Sequence, residues 1–277
     1  MLNNVLRPAP PPPIPPGWQT GPPDFVGVGS MKSGTSWWWA VLAGHPAVAT
    51  PRQQPADATG RTPATPLRPP YGHKEVHFFD HYGQIAEFDP ATYHRYFPRP
   101  PGHLVGEWTP RYMYDLWTPP MLHTAAPDTK LLVLLRDPLQ RLLSALAAQQ
   151  QWFPSAPLAV IMQHQFHRSF YWRQLRWLTT HFPREQLLVL QYEQCVTDPA
   201  GQARRTFAFL GLDTTHWQPG RELTEKVGRT YPRPTLTSAT TKAFLHAIAP
   251  DTTRLLQEFP HLEADLWPSL RTLRKRD

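Results

Sequence analysis

An α/β fold, a single domain with a mostly parallel central sheet flanked by helices, is predicted by three observations. Phe25-Val26-Gly27-Val28-Gly29, Leu131 to Leu135 and Leu187 to Leu190 are continuous apolar runs too short for helices. They also lack the alternation of a half-exposed strand, as strands covered on both faces do. Helical periodicity follows each of them, the order expected of a parallel sheet. The third observation is proline, 35 of 277 residues, against a usual share of about 5%, which speaks against a helical bundle or coiled coil.

Composition narrows the partners. With 40% hydrophobic residues the chain can bury a full core. Twenty-eight Lys and Arg against 21 Asp and Glu give a net charge of +7, compatible with nucleic acid, an anionic small molecule or an acidic polymer. The single cysteine, Cys195, can form neither an intrachain disulfide nor a cysteine metal cage, and reads as a small buried hydrophobe. No apolar stretch suits a signal peptide or a membrane span, so the expectation is a soluble, cytoplasmic protein.

Residues 1–23 hold nine prolines and read as an extended tail; the domain proper is expected over 24–270. The strand ending at Gly29 passes through a polar loop into a helix from Thr35 to about Gly44. Residues 51–70, with six prolines and no periodicity, read as a surface insert. After the Leu131–Leu135 strand, Asp137-Pro138 supplies an N-cap and an N1 proline for a helix through Ala148. Tyr171, Leu175, Leu178 and Phe182 mark a helix within 167–182, ended by Pro183. The Leu187–Leu190 strand leads to a helix over Gln202–Leu210. One or two more helices lie within Thr240–Phe259, interrupted at Pro250, and the basic 271–277 segment reads as a solvated tail.

The loop Gly29-Ser30-Met31-Lys32-Ser33-Gly34-Thr35-Ser36 stands where a strand ends and a helix begins. The first amides of a helix have no intrahelical partner, and with the helix dipole they make an anion site. Gly29 and Gly34 admit close backbone approach, Lys32 brings a charge, and Ser33, Thr35 and Ser36 bring hydroxyls. The alternative is a plain tight turn. A nucleotide triphosphatase loop would place lysine directly after the second glycine; here Thr35 stands there and the lysine is at 32. Lys32-Ser33-Gly34-Thr35-Ser36-Trp37 instead resembles the 5′-phosphosulfate loop of the sulfotransferases that use 3′-phosphoadenosine 5′-phosphosulfate (PAPS).

Arg136-Asp137-Pro138-Leu139-Gln140-Arg141-Leu142-Leu143-Ser144 leaves the carboxyl end of a strand, where ligands bind in open α/β sheets. An acidic residue after a strand also suits a Mg²⁺-holding element of a kinase, but the Asp-Pro pair is equally a helix start. Ser144 lies two turns beyond Asp137 on one helix face, in position to assist Arg136 on a phosphate. The segment is similar to the family's 3′-phosphate motif. Gly228-Arg229-Thr230-Tyr231-Pro232 resembles, in part, a nucleotide-closing segment of its heparan-type branch, which carries Arg229 into the donor site and, more weakly, Lys226.

Lys74-Glu75-Val76-His77-Phe78-Phe79-Asp80 reads as extended chain, with Glu75 and His77 on one face, a carboxylate beside an imidazole as proton abstraction requires. It resembles the branch's Glu-x-His-Phe-Phe motif, which implies Glu75 as general base with His77 as the alternative. His73, His77 and His81 recur every four residues, a metal spacing on a helix that extended chain would disperse; no metal is expected. Gly106-Glu107-Trp108-Thr109-Pro110-Arg111-Tyr112 is similar to a segment near donor and acceptor, which implies substrate contacts for Glu107, Trp108 and Tyr112. Trp108 replaces the usual lysine, a departure from the pattern of enzymes acting on acidic polymers. Trp108, Tyr112, Tyr114, Tyr171 and Trp172 read as an acceptor wall or as core, and Arg168, Arg173 and Arg176 as a solvated helix face.

Together these resemblances imply a PAPS-dependent sulfotransferase acting without a metal on a hydroxyl or amine of a small-molecule or carbohydrate acceptor. The alternatives are a P-loop kinase, which the displaced lysine opposes, and a nucleic-acid-binding module, for which net charge is the sole argument.

Overall fold

Four parallel strands form one sheet in the order β2-β1-β3-β4 in the computed structural model, which describes residues 10–49, 74–82, 88–215, 217–225 and 230–270. The 51–70 insert, Lys226, Arg229 and the 271–277 tail lie outside the described residues, as do residues 1–9. Strand β1 (Phe25–Gly29) leads to helix α1 (Thr35–Ala43), and α2 (Phe78–Tyr82) and α3 (Pro90–His94) precede β2 (Gly106–Trp108). Helix α4 (Thr118–Ala125) precedes β3 (Lys130–Leu135), which is followed by α5 (Pro138–Trp152), α6 (Leu158–Phe166) and α7 (Tyr171–Thr179). After β4 (Leu187–Gln191) come α8 (Tyr192–Thr197), α9 (Pro199–Leu210) and α10 (Ser238–Glu258). Residues Gln19 and Arg99 pair through reciprocal backbone hydrogen bonds, tying the proline-rich segment to the body.

Both faces of the sheet are covered, as the unbroken apolar runs require. In β3 the residues alternate between two cores: Leu131, Val133 and Leu135 pack with Tyr171, Leu175 and Trp267, whereas Leu132 and Leu134 pack with Trp38, Leu42 and Phe207. Each such side chain contributes roughly 1.5–3 kcal/mol when fully buried. The chain runs from β1 to β2 on one side and then crosses to β3 on the other. The carboxyl ends of β1 and β3 therefore flank a topological switch point, where open α/β sheets place ligands.

Two sequence expectations are revised. Phe78-Phe79-Asp80 is the first turn of α2 and not extended chain, because Phe78 and Phe79 enter one aromatic cluster with Tyr93, Phe88 and Tyr112. Helix α10 runs unbroken through Pro250. A mid-helix proline costs about 3 kcal/mol, and the next residue anchors the helix: the buried Asp251 carboxylate accepts from the amides of Trp172 at 2.9 Å and Arg173 at 3.1 Å, at the start of α7.

Candidate active site

The loop after β1 is held from beneath. Ser30 donates its amide to the Leu134 carbonyl at 3.0 Å, and the Ser30 and Ser33 hydroxyls meet at 2.5 Å. Gly34, at the N-cap of α1, has φ 92° and no side chain to cap the helix, so the first-turn amides of α1 are left for an anion. Glycine is required there twice over. Its φ is left-handed, and a Cβ would lie 2.7 Å from the ring of Tyr192. Lys32, also at positive φ (71°), is partly buried, and that burial lowers the pKa of its ammonium, with Glu75 opposing and Lys74 and Arg136 adding to the fall. Ser36 and Trp37 are partly exposed, and Trp37 donates its indole N–H to the Glu222 carbonyl at 2.9 Å.

Arg136 meets this loop from the end of β3. Its guanidinium donates to the Lys32 carbonyl at 3.3 Å and lies 4.8 Å from the ring centroid of Tyr192, while Tyr171 donates its hydroxyl to the Arg136 carbonyl at 2.9 Å. Ser144 is partly buried on α5, one turn past Gln140, which accepts from Arg233. Arg233 was not singled out in the sequence. Its guanidinium pKa is lowered by burial and then by Arg136, which puts a second arginine in the field of the first.

Asp137 resolves the alternative between helix cap and cation ligand. Its carboxylate accepts from the amides of Leu139 and Gln140 at 2.9 and 3.0 Å, and from the amide and hydroxyl of Ser269 at 2.9 and 2.8 Å. Oδ1 of this buried group takes three of these bonds and Oδ2 the fourth, so both oxygens are engaged by structural donors. Arg141, in the same motif, is likewise interior, donating to Ser169 Oγ and the Gln165 carbonyl.

Glu75 and His77 do converge, although not as neighbours on a strand. His77 takes φ 57° at the start of α2. This turns its imidazole so that Nε2 lies 3.1 Å from Glu75 Oε2 and Nδ1 lies 2.6 Å from Asp80 Oδ2. Burial pushes the His77 pKa down, but the two carboxylates outweigh it and raise it to about 10. Burial pushes Glu75 up, yet Lys74 and His77 hold it at about 2. The array is thus carboxylate, imidazolium, carboxylate. Asp80 is the residue that sequence reasoning overlooked; its signal was the i+3 spacing from His77, which carries meaning only on a helix. Lys74, also overlooked, is 3% exposed and links the two halves of the site: Nζ donates to Glu75 Oε1 at 2.5 Å and to Thr35 Oγ1 at 3.3 Å.

Three expected substrate contacts are corrected. Glu107, Trp108 and Tyr112 are all 0% exposed and lie beneath the site. The Trp108 indole lies across Gly27, where a Cβ would come within 2.1 Å of it, and donates to the Gly29 carbonyl at 3.1 Å. Glu107 accepts from Tyr93 and Tyr112 hydroxyls at 2.7 and 3.1 Å, from Thr109 Oγ1 and from the Val76 amide. Tyr112 in turn accepts from the Phe78 amide at 2.9 Å. Together they brace the Glu75–Asp80 segment from behind. Of the arginines expected on a solvated face, Arg173 and Arg176 are exposed, whereas Arg168 packs its guanidinium 4.0 Å from the Tyr114 ring centroid. The expected aromatic wall is dispersed: Tyr171 is buried, and Trp172 is bonded to Glu258.

An anion cradle and a proton-accepting array joined by one lysine suit a group-transfer enzyme of the phosphate-loop α/β class. Within that class the chain belongs to the sulfotransferase family, whose model matches residues 23–218. It is 32% identical over 151 residues to human heparan sulfate glucosamine 3-O-sulfotransferase 6, covering 50% of this chain and 43% of that protein. It is 30% identical over 151 residues to the membrane-associated sulfotransferase kil1 of Dictyostelium discoideum, covering 53% and 28%. The chain spans less than half the length of either relative. Among solved structures, a sulfotransferase from Alicyclobacillus acidocaldarius shares the fold at a TM-score of 0.63 and 22% identity, over 88% of this chain and 98% of that one. Mouse SULT7A1, complexed with PAP, does so at 0.51 and 14%, over 88% and 90%. Among the described residues no helix is long and apolar enough to cross a membrane.

Proposed function

We propose that this protein transfers the sulfonyl group of PAPS to a hydroxyl or amine of a small-molecule or carbohydrate acceptor. Lys74 carries the reading: one buried ammonium touches both the loop hydroxyl of Thr35 and the carboxylate of Glu75, so donor and proton acceptor are held in fixed register. In the reaction, the acceptor oxygen or nitrogen forms a bond to sulfur as its proton passes to Glu75. The bond from sulfur to the bridging phosphate oxygen breaks in line, and its electron pair leaves on the 5′-phosphate of 3′-phosphoadenosine 5′-phosphate (PAP). Lys32 and the first-turn amides of α1 stabilise the charge growing on that phosphate. Arg136, with Ser144 on the same side, receives the 3′-phosphate. His77, held protonated by Asp80, orients the Glu75 carboxylate and supplies positive charge beside it. The family relationship and the PAP complex of the mouse structural neighbour support this donor.

Calorimetric titration tests the donor. PAP binds the wild-type protein and loses affinity in Lys32→Ala and Arg136→Ala, whereas ATP binds more weakly; equal affinity for PAP and ATP overturns the reading. Glu75→Ala abolishes transfer while leaving PAP binding nearly intact, and normal turnover in that variant removes Glu75 as the base.

A further inference from the structure

Trp152 closes α5 with 53% of its surface exposed, and Phe153 beside it is 43% exposed. Large apolar side chains exposed singly are ordinary on protein surfaces. This one is not placed at random, because its ring centroid lies 5.9 Å from Lys32 Nζ, the ammonium of the phosphosulfate loop. Gln140, Ser144, Ala148 and Trp152 recur every fourth residue, forming a stripe along one side of α5. Gln140 bonds to Arg233 beside Arg136, at the amino end of the helix. Trp152 stands roughly 12 Å further along than Ser144, at 1.5 Å per residue. The helix therefore runs from the Arg233–Gln140 contact at its amino end to Trp152 beside Lys32 at its carboxyl end.

Resting on the sulfotransferase reading above, we propose that Trp152 is the acceptor platform, and that the acceptor bears its reacting hydroxyl or amine on a ring whose flat face stacks against this indole. The role is open because the aromatic residues of the sequence-predicted wall are spent elsewhere: Trp108 and Tyr112 are sealed beneath the site, and Tyr171 holds the Arg136 carbonyl. An exposed indole accepts either an aromatic ring or the C–H face of a sugar. Its neighbour Lys32 keeps one edge of the platform polar, where the sulfonyl group must sit. Donor and acceptor would then meet over Lys32, with Glu75 in the electrostatic field of that lysine.

The test is binding to the PAP-loaded protein, followed by saturation-transfer NMR with three probes: 2-naphthol, methyl β-glucoside and the open-chain alcohol 1-hexanol. At least one ring probe binds the wild-type protein more tightly than 1-hexanol. Trp152→Ala weakens that probe by about tenfold to a hundredfold, the scale of a lost stacking contact, and Trp152→Phe restores most of it. Which ring probe responds distinguishes an aryl from a carbohydrate acceptor. PAP affinity is unchanged in both variants. Equal ring binding in wild type and Trp152→Ala overturns the proposal, as does a wild-type protein that prefers neither ring probe. Loss of PAP affinity in Trp152→Ala also overturns it, by moving the indole to the donor. Failure of PAP to bind the wild-type protein instead refutes the sulfotransferase reading itself.

Discussion

Replacing Asp137 separates a structural carboxylate from a cation ligand. In Asp137→Ala the amides of Leu139 and Gln140 lose their cap, worth about 1 kcal/mol. The Ser269 amide and hydroxyl lose their acceptor in the interior, and one buried donor left unmade costs about 1–3 kcal/mol. The sum is about 2–4 kcal/mol, in a segment that Glu193 also holds by accepting from the Trp267 indole at 2.8 Å. With a urea dependence of about 1–3 kcal/mol per molar, the midpoint falls by roughly 0.7–4 M. Asp137→Asn is the sharper variant. An amide nitrogen in place of Oδ2 opposes the Ser269 amide donor to donor, so about 1–2 kcal/mol is lost although the helix cap survives. Urea unfolding followed by far-ultraviolet circular dichroism measures both. An Asp137→Asn protein with an unchanged midpoint that has lost a Mg²⁺-dependent activity would refute this reasoning and restore the kinase interpretation.

Gly34→Ala forces an L-residue into a left-handed conformation and drives its methyl toward Tyr192, so PAP affinity measured by calorimetry falls at least tenfold; unchanged affinity would show that the loop amides do not hold the phosphate. The His77 pKa, raised from 6.5 to about 10, makes a stabilising contribution that is complete below pH 6.5 and is lost as pH rises toward 10. Glu75, lowered from 4.5 to about 2, contributes above pH 4.5 and ceases to do so as pH falls toward 2. Asp80→Asn lowers the His77 midpoint by about 1–2 units, seen in the imidazole resonances by NMR, and flattens the alkaline decline in stability; an unmoved midpoint removes Asp80 from the array.

The strands and the glycine-bounded loop after β1 were legible in the sequence because each rests on a local rule. Continuous apolar runs gave β1, β3 and β4, and Gly34 marked a position where both backbone angle and space exclude a side chain. The residues expected to contact the acceptor were legible in composition but not in placement. Glu107 and Trp108 sit in a three-residue strand at the sheet edge and Tyr112 in the turn after it, too short a strand for periodicity to say which way each residue points. Burial there is decided by Gly27 on the adjacent strand, a contact across 81 residues of chain. Asp80 was invisible for a related reason: its meaning depends on a helix that an aromatic cluster imposes on Phe78 and Phe79. Trp152 belongs to no motif, and only the folded chain brings it to Lys32.

Lys74 gives the site a property that neither half has alone. A carboxylate held at about 2 is a reluctant base, and the cation that holds it there also reaches Thr35. An anion entering the loop competes for that ammonium and raises the proton affinity of Glu75. By linkage, a proton on Glu75 tightens the hold on the anion to the same degree. In the reaction proposed above the donor would thus arm the base on arrival, and an empty site would be kept from abstracting protons to no purpose.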